Sequence, residues 1–375
     1  MNSLLPGSTI GILGGGQLGR MMAMAAKHMG YKIVVLDPTP DCPAAQVSDE
    51  QIVAKYDDLD AIAQLANKSD VVTYEFENVD LTAARLLETK GCLPQGSQLL
   101  KITQDREQEK TVLAENGLPV APFKVVETGQ ELKQAFDTVG LPAVIKTCRG
   151  GYDGKGQLQL TSLQDLDIAT QFIQKNGRCI VEQWIKFDKE VSVVFTRTID
   201  GNISYFPLAE NEHKNHILHK TTAPARVSNS VTEQALDVAA RVAEAIEVVG
   251  TFAIEMFVVG EDIYINEMAP RPHNSGHFTI EACSVSQFEQ HMRAICGLPL
   301  APIKFHGASV MINLLGDDVT AFTETPEIYE QAHVHVYGKK EIKDKRKMGH
   351  VTYVGNSLPE LEQIVADNLR ITEKV

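Results

Sequence analysis

The sequence predicts an α/β protein of several domains: a parallel sheet at the N-terminus, a small mixed α/β lobe, and a strand-rich remainder forming a mixed sheet. Three observations carry that expectation. At about 150 residues per domain, a chain of 375 residues makes two or three packed units. Over the first hundred residues, short apolar runs alternate with helical patterns, the arithmetic of strands joined by crossover helices and therefore parallel. Near residue 100 that rhythm changes to more closely spaced strand candidates.

In order along the chain, residues 9 to 13, 32 to 36 and 71 to 74 are short apolar runs, with helical spacing over 18 to 29. The Met and Ala stripe at 21 to 26 fits a buried helix face better than a cofactor box. A charged helix over 104 to 116 stops at Gly117, with Pro119 behind it. Strand candidates at 123–126, 143–146, 157–160 and 179–182, with helical patterns near 129–138 and 163–175, make the small lobe. Strands at 190–197, 203–206, 251–259 and 263–267 surround a helix at 231–247, and 305–375 continues with strand-like alternation. The expected domains are 1–100, 101–182, 183–297 and 298–375, without internal repeats.

Composition narrows the class. Hydrophobic residues make 43% and charged residues 22% of the chain, which is globular rather than disordered. With 35 basic against 49 acidic residues the net charge is −14, which opposes general binding to nucleic acid or anionic membrane. An anionic substrate must then meet locally clustered cations. The six cysteines contain no CxxC and suggest neither a zinc knuckle nor a disulfide framework, and they read as reduced cytosolic thiols. No stretch approaches the roughly 18 apolar residues of a membrane span, and the opening ten residues lack a basic leader. A cytoplasmic location is expected.

Four segments carry chemistry. GGGQLGR at 14 to 20 follows a strand, opens a helix and precedes Asp37 at the end of the next strand, which nearly meets the dinucleotide fingerprint of a Rossmann-like domain. Its glycines let backbone amides and a helix N-terminus approach any phosphate or carboxylate, so a nicotinamide enzyme, a ribotide site and a tight packing turn all remain open. RGGYDGKGQ at 149 to 157 lies between two strands, which fits neither Walker A nor Rossmann geometry. Such a loop suits a lid folding over a triphosphate, with Lys146 and Lys155 supplying charge, or else a plain turn.

The third segment, TFAIEMFVVGEDIYINE at 251 to 267, reads as a hairpin. A turn centred on Glu261 makes Glu255 and Glu267 cross-strand neighbours, and like charges so placed need compensation. With Asn266 adjacent and only oxygen ligands present, Mg²⁺ bridging carboxylates and nucleotide phosphates is favoured over zinc; a shifted register would leave two solvated carboxylates instead. The fourth is MAPRPHNSGH at 268 to 277, where two prolines stiffen the chain beside Arg271, His273 and Asn274. Arg can grip a planar anion such as bicarbonate while His or Asn orients it. His213, His216 and His219 lack a completing zinc ligand, and the six basic residues within 339 to 347 suit capture of one phosphate group in this acidic chain.

Taken together, GGGQLGRM at 14 to 21, TYEFENV at 73 to 79, GGYDGKGQ at 150 to 157, NEMAPRPHNSGH at 266 to 277 and RKMGH at 346 to 350 resemble the ATP-grasp superfamily and, within it, the N5-carboxyaminoimidazole ribonucleotide synthetase family. The resemblance spans nearly the whole chain. It implies an ATP-grasp fold with a Rossmann-like N-terminal domain and a lid lobe, Mg²⁺ and ATP as cofactor and substrate, and a homodimer. ATP contacts would be Arg106, Lys146, the loop residues Gly151, Tyr152, Asp153, Gly154, Lys155, Gly156 and Gln157, the hinge Glu182, Gln183, Trp184 and Ile185, then Glu190, His213, Asn266 and Glu267. Glu255 and Glu267 would hold the metal. The ribotide would meet Gln17, Glu75, Tyr152 and Arg271, with its phosphate at Lys339, Arg346 and Lys347, and Asp153, Arg271, His273 and Asn274 would surround the reacting groups. The implied reaction is ATP-dependent carboxylation of aminoimidazole ribotide through carboxyphosphate. A formate-dependent transformylase, a biotin carboxylase and, more remotely, a dehydrogenase are the competing expectations.

Overall fold

The computed structural model describes residues 3–151 and 154–372, so Tyr152 and Asp153 lie outside the described residues. The N-terminal sheet has four parallel strands, in the order Glu50–Ile52, Lys32–Leu36, Thr9–Leu13, Val71–Tyr74. The two central strands are buried almost throughout, as parallel strands covered on both faces must be. Helix Gln17–His28 packs Met21, Met22, Ala23 and Ala26 inward, so its apolar stripe is core.

The small lobe is an antiparallel sheet ordered Phe123–Val126, Cys179–Gln183, Ala143–Thr147, Gln157–Leu160. Helices Leu132–Val139 and Leu166–Asn176 close one core with it through Phe136, Ile145, Ile173 and Val181. The other face is left for a ligand.

The third sheet has nine strands, all antiparallel. Its path runs Asp262–Ala269, Gly250–Val259, Lys189–Arg197, Ala209–Lys214, Ile217–Ala223, Ala308–Leu315, Lys347–Gly355, His333–Val336, with Ile203–Tyr205 paired beside Lys189–Arg197. Helix Asn229–Ala245 covers one face because Val231, Ala235, Val238, Ala239, Val242 and Ala243 recur at helical spacing, and Ser228 caps it by accepting from the Val231 amide. Each buried valine is worth about 1.5–3 kcal/mol over an exposed one. Because Ile217–Ala223 pairs with Ala308–Leu315, the segments on either side of residue 298 share one continuous sheet.

The hairpin Ala209–Lys214 with Ile217–Ala223 had no counterpart among the sequence expectations. Its first strand reads AENEHK and offers no apolar alternation, because only its first three residues are buried. Among the described residues no helix is long and apolar enough to cross a membrane. All six cysteines are free and buried.

Candidate active site

A cavity of about 970 Å³ opens between the small lobe and the nine-stranded sheet. Its walls include Arg106, Lys146, Gly151, Gly154, Lys155, Gln157, the hinge Glu182, Gln183, Trp184 and Ile185, and then Glu190, His213, Glu255, Asn266, Glu267, Arg271, His273, Asn274 and Lys347. Residues expected at two different ligands therefore share one space.

On one side lies the acidic hairpin. Glu255 and Glu267 are cross-strand partners, although the register near the turn differs from the expected one. The turn is the two-residue Gly260–Glu261, with Val259 opposite Asp262 and Met256 opposite Ile265, and unbroken pairing of that kind would set Glu255 against Asn266. A bulge intervenes between Glu255 and Met256, makes Asn266 an extra residue, and restores Glu267 to its place opposite Glu255. Burial and the adjacent Glu267 charge push the Glu255 carboxyl well above the usual carboxylate range. Two facing carboxylates that resist joint ionisation fit a divalent cation. Among the described residues no group of three or more His, Cys, Asp or Glu side chains is placed to hold a metal ion.

The opposite wall is basic. Lys146 Nζ donates to Glu182 Oε2 at 3.3 Å, and Lys110 Nζ stands 3.5 Å from the same oxygen. Burial would raise the Glu182 pKa, but Lys110, Lys146 and Arg106 outweigh it and hold the carboxyl at about 2. Burial pulls the Lys146 pKa down. Arg106 donates to the Gly151 carbonyl at 3.4 Å, so it touches the glycine loop. Trp184 and Phe187 are both exposed and line the cavity, and Phe187 stacks on Phe257 with ring centroids 4.6 Å apart.

Between these walls sits the rigid segment after the hairpin. The Arg271 guanidinium grips Glu77 from two nitrogens, at 2.8 and 2.7 Å. His273 Nδ1 bonds Ser275 Oγ at 2.8 Å, while its Nε2 lies 3.6 Å from Glu255. Burial, Arg271 and Lys347 drive the His273 pKa far below its ordinary value, which keeps the ring neutral. Asn274 is 8% exposed, and neither its Oδ1 nor its Nδ2 has a partner among the described residues. A buried amide without partners is costly unless a ligand satisfies it.

The expected ribotide residues divide. Lys347 lines the cavity, whereas Gln17, Glu75, Lys339 and Arg346 lie outside its lining. Glu75 accepts from the amides of Gly16 and Gly19, the latter at 2.7 Å. Asp37 accepts from the Gly15 amide at 2.8 Å and from Tyr56 Oη at 2.6 Å. The amides a dinucleotide pyrophosphate needs are thus already bonded to protein carboxylates, which removes the dehydrogenase expectation. Lys339 donates to the Lys347 carbonyl at 2.5 Å, and burial together with Arg346 draws its pKa down to about 8. Gly156 is not in the lining, but its carbonyl accepts from the Thr147 amide at 2.8 Å and anchors the loop's return.

Of the three histidines, His213 bonds Glu190 at 2.6 Å and lines the cavity together with His216, which sits on the hairpin turn at φ +65°, while His219 lines a separate cavity of about 480 Å³. Burial alone would lower the His213 pKa, but the Glu190 bond and the charges of Glu190, Glu255 and Glu267 raise it.

Sequence reasoning missed Glu77, Glu109, Lys110 and Phe187, all of which line the cavity. A signal existed for two of them. Arg106, Glu109, Lys110 and Leu113 recur at i, i+3, i+4 and i+7, the spacing of a buried helix face, although three of the four are charged.

Two sheets closing on a cavity with a glycine loop, paired lysines and facing glutamates define an ATP-grasp protein. Family models agree along the chain: a ribonucleotide synthetase preATP-grasp domain over residues 7–104, an ATP-grasp domain over 111–288, and a phosphoribosylaminoimidazole carboxylase C-terminal domain over 309–364. The chain is 49% identical over 352 residues to the N5-carboxyaminoimidazole ribonucleotide synthase of Bacillus subtilis strain 168, covering 94% of this chain and 92% of that one. It is 45% identical to the synthase of Staphylococcus aureus strain COL, over 96% of each. An N5-carboxyaminoimidazole ribonucleotide synthetase crystallised with ADP superposes with a TM-score of 0.95 at 49% identity, covering 100% of this chain and 99% of that one. The Aspergillus clavatus synthase in complex with ADP and aminoimidazole ribonucleotide superposes at 0.92 with 30% identity, over 99% and 100% of the two chains. The chain belongs to the N5-carboxyaminoimidazole ribonucleotide synthase family.

Proposed function

We infer that this chain is an ATP-dependent carbon–nitrogen ligase that carboxylates 5-aminoimidazole ribonucleotide with bicarbonate, forming N5-carboxyaminoimidazole ribonucleotide, ADP and phosphate in purine biosynthesis. The observation that carries the reading is the buried Asn274 amide, without a partner among the described residues, beside Arg271 and neutral His273 in the same cavity as the facing glutamates and the Lys146 side.

Bicarbonate is anionic and resonance-stabilised, so an amine does not attack it unaided. In this reading Arg271, His273 and Asn274 orient it, and its oxygen attacks the γ-phosphoryl group of ATP to give carboxyphosphate and ADP. Arg106, Lys146, Lys155 and the loop amides up to Gln157 face the phosphates, the hinge 182–185 faces adenine, and Glu190 with His213 faces the ribose. Glu255 and Glu267, with Asn266 beside them, would hold Mg²⁺, which neutralises phosphate charge when bound. Carboxyphosphate breaks down to CO₂ and phosphate inside the closed site. The ribotide's exocyclic amine captures the CO₂, and its proton passes to Asp153 or to the released phosphate. Gln17, Glu75 and Tyr152 would contact the ribotide and Lys339, Arg346 and Lys347 its phosphate; Tyr152 and Asp153 lie outside the described residues.

A homodimer is part of the proposal on family resemblance. A cytoplasmic location is supported by the six free, buried cysteines, and the absence of nucleic-acid or membrane partners by the net charge of −14. The test is ADP release with ATP, Mg²⁺ and bicarbonate, with and without the ribotide. ADP formation is expected only in the complete mixture, and Glu267→Gln is expected to lower kcat by ~100-fold or more, the loss of several kcal/mol of charge stabilisation, with unchanged circular dichroism. Turnover with formate or biotin in place of the ribotide system, or near-normal Glu267→Gln, contradicts the reading.

A further inference from the structure

The bulge at Asn266 poses a problem of geometry. Neighbours on a regular strand point to opposite faces, yet Asn266 and Glu267 both line the cavity. The extra residue makes this arrangement possible, and because Asp262–Ala269 ends the sheet, its outward backbone groups around the bulge need partners other than the ladder.

Those partners come from the helix Arg106–Glu115 and from the chain just after it. Lys110 Nζ donates to the carbonyls of Ile265 at 3.0 Å and Asn266 at 2.8 Å. The Met268 amide donates to Glu109 Oε1 at 2.8 Å, and the Ile265 amide donates to the Pro119 carbonyl at 2.7 Å. Two consecutive charged residues, each 2% exposed, thus bracket the backbone on both sides of Glu267. Burying two ionisable side chains does little to stabilise a fold, since well-packed apolar residues serve as well or better, and burial pushes the Glu109 carboxyl up to about 8. Their bonding instead addresses one strand irregularity, the one that aims two side chains at a single space.

We propose that Glu109 and Lys110 are positioning residues that hold the Asn266 bulge in register, so that Asn266 and Glu267 face the nucleotide and metal together. This rests on the reading of Glu255 and Glu267 as the Mg²⁺ carboxylates. Neither residue needs to touch substrate, because each acts through the backbone of the metal strand. Lys110 also stands 3.5 Å from Glu182 Oε2, so Glu109, which has no such bond to the hinge, gives the cleaner variant.

Calorimetric titration of the full chain with ADP, with and without Mg²⁺, tests this by binding rather than turnover. Wild type should bind ADP more tightly with Mg²⁺. In Lys110→Met and Glu109→Leu, residues that themselves line the cavity, the tightening by Mg²⁺ relative to each variant's own metal-free affinity should shrink by ~10-fold or more, the usual scale for groups that orient a metal ligand. Glu109→Gln, which keeps an acceptor for the Met268 amide, should retain most of the tightening. Should Lys110→Met fail to fold, the Glu109 pair decides alone. Wild-type tightening in both Glu109→Leu and a folded Lys110→Met overturns the proposal. No tightening in wild type itself instead refutes the metal reading, and the proposal falls with it.

Discussion

Glu210 shows how single side chains set the pH behaviour of this protein. Burial would raise its pKa, but bonds from Arg226 and Lys189 outweigh that and hold the carboxyl at about 2. Its folded value lies below its unfolded one, so its contribution to stability is full above the ordinary carboxylate pKa of 4.5 and disappears as pH falls through the interval down to about 2. Glu210→Gln should therefore melt below wild type at pH 7, with the gap narrowing from pH 5 downward, each kcal/mol being worth roughly 2–4 °C in domains of 150–250 residues. A gap that stays constant from pH 7 to pH 3 in thermal melts contradicts the assignment. At the same scale, the facing of Glu255 and Glu267 was legible because a hairpin register is arithmetic. Lys110 carried only its helical spacing with Arg106, Glu109 and Leu113 as a signal, and a charged residue at a buried helical position looks like surface until its partners across the fold are known.

Among the elements, the glycine loop and the hairpin Ala209–Lys214 with Ile217–Ala223 depend on each other. Gly154 has φ +76°, and a Cβ there would stand 2.6 Å from the His216 Cβ. Both the left-handed backbone and the close approach require glycine. Gly154→Ala is expected to raise the KM for ATP by ~10-fold or more, because the loop loses its seat against the hairpin turn, while the melting temperature changes little. An unchanged KM would show that the loop does not need that seat. The lid was readable from glycines placed between two strand candidates. Its seat was hidden, because the hairpin strand carrying His213 is polar along most of its exposed half and gives no alternation. The Asn266 bulge was likewise invisible: the expected three-residue turn and the actual two-residue turn with a bulge lead to the same Glu255–Glu267 pair.

In the molecule as a whole, the small lobe, the nine-stranded sheet and the Glu77–Asn78 segment of the N-terminal domain meet at one cavity, and contacts between them support the site. Glu77 of the N-terminal domain holds Arg271 of the segment after the metal strand, and Gln46 donates to the Gly338 carbonyl at 2.9 Å across to the C-terminal strands. Local patterns predicted the parallel N-terminal sheet and the small lobe, because each is built from neighbours in sequence. The continuity of the nine-stranded sheet across residue 298 was not legible, since it rests on pairing Lys220 with Ile312, residues far apart along the chain. The same long-range closure brings Lys347 to the cavity that contains Glu255.

In the proposed reaction, nucleotide cleavage in this cavity activates bicarbonate by phosphorylating it. Turnover with ¹⁸O-labelled bicarbonate, ATP, Mg²⁺ and the ribotide, followed by mass analysis of the released phosphate, tests this directly. One labelled oxygen transferred from bicarbonate to phosphate in each turnover is the result expected of a carboxyphosphate intermediate. Phosphate free of label, with carboxylated ribotide still formed, would mean that water rather than bicarbonate attacks ATP, and would contradict the account.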